Sequence, residues 1–331
     1  MFREKHSPDT PPRAKPRARW RTGLARASLL LGLGLLFTAG VLITEAFLGA
    51  PSVDDLAQRV PPKTSYMRQA VLEGRLGDDV AMQWVPLDRI PPRVACAVVM
   101  AEDPLFFRHE GFNPSLMLSA LVARLRGQTV GSSTLSQQLA RNLFLGSEPT
   151  LSRKLREAVI TIRLERTLEK RRILELYLNV AEWGPGVWGL APASQYYWGK
   201  TPAQLTVSEA VFLASLLPAP SRSLSGANLE RAAFIQRIVL DVLHGGTVID
   251  AAEWRHSRKR LEAAYRALRA GRPLREALAM PIDEALTLPP GPNTSEPDMP
   301  DLKPAPPLPE EHLLDEQCGL SRAEAHFGPF S

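Results

Sequence analysis

Residues 27–44 (ASLLLGLGLLFTAGVLIT) run for eighteen positions without a charged side chain, and after Glu45 a second apolar patch extends from Ala46 to Ala50. A helix of that length, joined by a few flanking residues, crosses a hydrocarbon layer of about 30 Å. Eight basic residues (Arg3, Lys5, Arg13, Lys15, Arg17, Arg19, Arg21 and Arg26) precede it against Glu4 and Asp9, so residues 1–26 carry +6. Lys and Arg are retained on the cytoplasmic side, which predicts residues 1–26 inside, a span over 27–50 and the rest of the chain outside. A cleaved signal peptide is the competing reading. Against it, the apolar run exceeds the usual signal core of roughly 7–15 residues, and Ala46, Gly49 and Ala50 make only a weak cleavage site. A basic arm set directly against a span already has an electrostatic explanation, so no nucleic-acid partner is expected.

The remainder of the 331 residues, in a chain 44% hydrophobic, can bury a sizeable core, which excludes a wholly disordered protein. Residues 51–84, with Pro51, Pro61 and Pro62, read as a connector of short strands or loops. Arg93–Ala101 (RVACAVVMA) is nearly all apolar between prolines and predicts a buried helix. Further helices are expected over Ser115–Arg126, Ser133–Leu143, Leu151–Leu168, Lys170–Asn179, Ala191–Tyr197, Ser208–Leu217, Leu229–Leu243 and Ala251–Ala270, the last amphipathic. No period-2 pattern is sustained, so the fold class is mainly α. Residues 226–280 read as a helical extension. Residues 281–331 hold eleven prolines and ten acids against Lys303 and Arg322, and that composition predicts a disordered tail. Cys96 and Cys318 sit in unlike surroundings with no spacing of a disulfide framework or metal site, so no redox chemistry is expected.

Three constellations carry chemistry. In Glu102-Asp103-Pro104-Leu105-Phe106-Phe107-Arg108-His109-Glu110-Gly111, two acids lie where an apolar helix opens into a loop, because Pro104 disfavours the helical region at Asp103. A carboxylate held against apolar packing gains proton affinity and suits a general base or acid; the alternative is a solvated helix end. In Gly131-Ser132-Ser133-Thr134-Leu135-Ser136-Gln137-Gln138-Leu139-Ala140-Arg141-Asn142, small residues feed a helix start whose N–H groups suit an anion, although Ser and Thr are also ordinary caps. In Arg153-Lys154-Leu155-Arg156-Glu157, Arg153 and Glu157 share a helix face, as either a site or a solvated charged surface. With Arg141 and Lys154, that face would suit a diphosphate.

In this order, and with Lys170-Arg171-Arg172-Ile173-Leu174-Glu175-Leu176-Tyr177-Leu178-Asn179 and Gly186-Val187-Trp188-Gly189 to Tyr196-Tyr197-Trp198-Gly199-Lys200 following, residues 85–225 resemble the family 51 peptidoglycan glycosyltransferases. Arg141 stands where that family usually has Lys, and Trp198 where Phe is common. The resemblance implies a lysozyme-like, two-lobed α domain that joins lipid II to a growing glycan-undecaprenyl diphosphate. It implies Glu102 as general base on the acceptor's 4-hydroxyl and Glu157 as the second carboxylate, aiding departure of undecaprenyl diphosphate directly or through a divalent cation such as Mg or Mn. No cofactor is obligatory in this reading. Arg141, Arg153 and Lys154 would contact the diphosphate, while Asp103, Ser132, Gln137, Gln138 and Asn142 would bind substrate. Residues 112–125, with Leu116, Met117, Leu118, Leu121, Val122 and Leu125, resemble the family's membrane-dipping lobe; the alternative is ordinary core.

No Ser-x-x-Lys occurs in the chain, so no penicillin-binding transpeptidase activity is expected. A lytic transglycosylase would share the fold and one Glu but would not need the cations, and an inactive membrane scaffold would not need both Glu102 and Glu157. The expected location is the plasma (inner) membrane, with the catalytic domain on the outer, periplasmic side. Membrane lipids and other cell-wall synthesis and division proteins are the further partners that the resemblance suggests.

Overall fold

The computed structural model describes residues 17–78, 81–126, 131, 133–146, 150–289 and 318. The chain divides into two units, residues 1–49 and 50–331. The first contains α1 (Arg17–Leu48), within which Arg26–Leu48 is long and apolar enough to cross a membrane, with a mean hydropathy of 2.1. Leu30, Leu36 and Phe37 lie exposed along it, as side chains facing lipid would. The basic segment before Arg17 lies outside the described residues.

The second unit is helical throughout its core. Thr64 caps α2 (Ser65–Leu72) by accepting from the Met67 N–H at 3.1 Å, and Met67 and Ala70 are buried. A helix therefore stands in the segment expected to be strands or loops, because one cap and two buried residues suffice to dock a two-turn helix. Pro91 and Pro92 start α3 (Pro92–Glu102), whose residues Val94 to Met100 are all buried, which is why the run reads as apolar on every side. There follow α4 (Pro114–Leu125), α5 (Leu135–Phe144), α6 (Leu151–Thr167) and α7 (Lys170–Val180). A short antiparallel hairpin, β1 (Glu182–Gly184) with β2 (Val187–Trp188), pairs Glu182 with Trp188. Then come α8 (Leu190–Trp198), α9 (Val207–Leu216), α10 (Gly226–Gly245), α11 (Ala251–Arg269), α12 (Leu274–Ala279) and α13 (Ile282–Thr287). α3 packs on α9 and α10, with α11 behind them, and α5 packs on α6 and α7. The end of α3 thus carries its acids from one helix group towards the other.

Two expectations are corrected. The folded region does not stop at Pro281: Ala285 on α13 is fully buried with Ala263, Ala267, Ala277 and Met280, and Arg266 donates to the Leu286 carbonyl at 2.7 Å. Alanines at the contact let three helices approach closely, a local effect that an average over 51 residues conceals. The expectation of disorder for 290–317 and 319–331 falls outside the described residues. Cys96, buried within α3, is disulfide-bonded to Cys318 across 222 residues of sequence, with Cα atoms 5.1 Å apart. Spacing carries no signal for such a pair because tertiary folding alone brings the two sulfurs together.

Candidate active site

Glu102 is the last residue of α3, and Asp103 leaves the helix with φ −157° ahead of Pro104, as the proline requires. Glu102 Oε2 accepts from Gln138 Nε2 at 2.7 Å. Oε1 is buried and has no hydrogen-bond partner. Burial pushes the Glu102 carboxyl up to about 7, with Asp103 adding to the rise, while the Gln138 donor and the Arg141 charge oppose it. A carboxyl poised near neutrality with one oxygen left bare is an arrangement able to accept a proton from a bound hydroxyl.

Asp103, expected to bind substrate, is held by protein partners. It is fully buried, both its oxygens lie 3.0 Å from His109 Nε2, and Oδ2 also accepts from the Leu135 N–H at 3.0 Å. The Gly111 N–H donates to His109 Nδ1, so the ring proton sits on Nε2 and points at Asp103. Asp103 therefore ties the end of α3 to the start of α5. His109, an ordinary structural histidine, holds the loop between.

The start of α5 is a capping box: the Thr134 N–H donates to Gln137 Oε1 at 3.0 Å and the Gln137 N–H to Thr134 Oγ1 at 3.2 Å. Gln137, expected to bind substrate, is thereby a buried capping residue. Thr134 Oγ1 also donates to the Gly111 carbonyl at 2.7 Å. At Gly111, with φ +87°, a Cβ would come within 2.7 Å of Thr161 Cγ2, so only glycine lets this loop lie against α6. One residue on, Gln138 points at Glu102. Arg141 and Asn142 are half-buried on the same helix, and Arg141 acts on Glu102 through its charge. Ser132 lies outside the described residues.

Glu157, on α6, is fully buried. Arg153 Nη1 reaches its Oε2 at 2.6 Å and Lys154 Nζ bonds its Oε1, so the carboxylate is a buried, doubly paired group and not part of a solvated surface. Lys154 Nζ also lies 3.5 Å from Ser133 Oγ. The start of α5 thus reaches Glu102 directly through Gln138 and Glu157 only through Lys154, which Ser133 meets. This donor set does not fit a divalent cation: both Glu157 oxygens are taken by cationic side chains, and among the described residues no three His, Cys, Asp or Glu gather.

Sequence reasoning missed two contributors. Glu165 accepts from Ser136 and from Lys170 at 2.7 Å, and the Lys170 ammonium lies 4.5 Å from the Phe106 ring centre, which braces α5, α6 and the loop after α3. Tyr177 donates to Gln138 at 3.0 Å. Its signs in the sequence were its place in the Lys170–Asn179 segment and a polar aromatic on the apolar face of α7. On α4, Met117, Leu118, Val122 and Leu125 are exposed, which excludes the core reading for them; the Leu121 side chain is outside those described.

A sequence model of the transglycosylase family matches residues 69–244. The chain is 44% identical over 165 residues to the biosynthetic peptidoglycan transglycosylase of Chromobacterium violaceum, covering 48% of this chain and 72% of that protein. It is 40% identical over 204 residues to the protein of the same name from Aeromonas hydrophila, covering 61% and 84%. It is also 36% identical over 218 residues to penicillin-binding protein 1A of Aquifex aeolicus, covering 64% of this chain and 30% of that one.

Proposed function

The chain belongs to the transglycosylase family, and from that premise we propose how its residues divide the reaction. It is a peptidoglycan glycosyltransferase that polymerises glycan strands in cell-wall synthesis, without transpeptidase activity. Glu102 is the general base: its bare Oε1 takes the proton of the acceptor's 4-hydroxyl as that oxygen bonds to the donor's anomeric carbon. The bond from that carbon to the diphosphate breaks, and its electron pair leaves on undecaprenyl diphosphate. Direct displacement turns an α-linked donor into a β-1,4 strand. Arg153 and Lys154, anchored by Glu157, present positive charge to the leaving diphosphate, with Arg141 as a third cation. Gln138 holds the base, and Asn142 and Ser132 line the substrate.

No step is routed through a metal. Lipid II turnover with and without a chelator tests that part, and a large loss on chelation would reject it. The apolar helix Arg26–Leu48 anchors the enzyme in the plasma membrane in a single pass, residues before it cytoplasmic and the catalytic domain outside. The exposed apolar side chains of α4 dip into the same surface, where each Å² removed from water is worth about 25 cal/mol. Further partners among cell-wall synthesis and division proteins would meet the enzyme there.

The observation that carries the base assignment is the buried, unpartnered Oε1 of Glu102. Purified Glu102→Gln, folded by circular dichroism, should fail to polymerise lipid II. Near-normal turnover would overturn it.

A further inference from the structure

We propose that Tyr177 is a positioning residue for the reaction, holding the Gln138 amide in the one orientation that steadies the Glu102 carboxylate. The inference rests on Glu102 being the base. Three elements meet in a chain of hydrogen bonds: the Tyr177 hydroxyl on α7 donates to Gln138 Oε1 on α5 at 3.0 Å, and Gln138 Nε2 donates to Glu102 Oε2 at the end of α3 at 2.7 Å. Nε2 lies 3.4 Å from the Ser133 carbonyl as well, so both faces of the amide are spoken for.

A primary amide can turn over and exchange its oxygen and nitrogen. Turned over, Gln138 would aim its oxygen at Glu102, which repels the carboxylate and suits only the protonated acid. The Tyr177 O–H opposes that turn by donating to Oε1. Tyr177 is almost fully buried, and burial pushes its phenol well above the ordinary value, so it stays a neutral donor while Glu102 titrates. The other ionisable groups acting on Glu102 are Asp103, which raises its proton affinity, and Arg141, which lowers it. Neither is attached to the amide. With Oε2 fixed by Gln138, the bare Oε1 keeps a constant direction for the incoming hydroxyl.

A phenylalanine would fill the same space, so a buried tyrosine kept only for packing predicts no change in titration. The positioning role predicts one. In the full-length Tyr177→Phe enzyme acting on lipid II, kcat should fall by about tenfold with KM within about twofold of the wild type, and the acid limb of the kcat profile should move upward by about half a pH unit. In a Gln138→Met background the same change should cost less than about twofold further, because the hydroxyl acts only through the amide. Should Tyr177→Phe not fold, 3-fluorotyrosine at position 177 keeps the ring and strengthens the donor, and the acid limb should then move downward. An unmoved limb in either variant, or full additivity with Gln138→Met, overturns the proposal. Glu102→Gln assayed alongside separates the two levels. Turnover retained there removes the base and the positioning role together; turnover lost there with an unmoved limb at Tyr177 removes the positioning role alone.

Discussion

Glu157 is fully buried and Glu102 half-buried with its Oε1 atom buried, and the two differ in what touches them. Glu102, at the end of an apolar helix, has one neutral amide on Oε2 and nothing on Oε1. Glu157, in the middle of α6, has a guanidinium on one oxygen and an ammonium on the other. Both carboxyls are shielded from water, so shielding alone does not assign the role. Loss of hydration, against a single neutral hydrogen-bond donor, leaves Glu102 with proton affinity near pH 7, whereas Glu157 is tied to two cations; in the proposed reaction it holds them for the leaving group.

The widest gap should appear in turnover. Glu102→Gln should lower kcat by about 10³–10⁴-fold and Glu157→Gln by about 10²-fold, since a base is lost in the first case and an anchor for two cations in the second. Equal losses would break the comparison. Next in size is the stability of the Glu157 side: Arg153→Ala leaves a buried carboxylate with a single partner and should destabilise the fold by about 3 kcal/mol in urea unfolding. Lys154→Ala, at a half-exposed side chain, should be much milder. If the two are alike, the guanidinium is not the main support.

The Glu102 side should show the opposite sign. Its folded proton affinity lies above the ordinary 4.5, so ionising it opposes folding; the penalty is absent below pH 4.5, grows up to about 7 and is complete above that. Glu102→Gln should therefore stabilise the protein at pH 8 by up to about 3 kcal/mol and give no such gain at pH 4. An equal effect at both pH values would contradict the burial of this carboxyl. The same ionisation predicts that kcat/KM falls as pH drops below about 7. The smallest effect expected is at Cys318: its bond to Cys96 anchors α3, the helix that carries Glu102, and has no counterpart on α6. Cys318→Ser, or reductant on the wild type, should cost about 2 kcal/mol or less while leaving Glu157 variants unaffected in relative terms. A peptide map without a Cys96–Cys318 link would remove that difference between the regions.

Much of this was legible in the chain alone. The charge-free run determines a helix long and apolar enough to cross a membrane, because length and hydropathy are additive along a segment. The helices of the second unit follow from their apolar runs and the start of α3 from its prolines, whereas the structure places the caps Thr134, Thr150 and Thr206. The acids and cations of the site came from residue types at fixed spacing. Spacing could not tell neighbours apart. Gln137 and Gln138 are adjacent and identical in type, but successive helix positions point about 100° apart, so one closes a capping box and the other reaches Glu102. Glu102 and Asp103 part in the same way, one towards the amide and the other into His109 and Leu135. The hydrogen bond of Tyr177 to Gln138, the pairing of Cys96 with Cys318 and the burial of Ala285 all join residues far apart in the chain. Only tertiary packing decides those, because the energy of a contact depends on what stands within a few ångströms and not on what stands nearby in sequence.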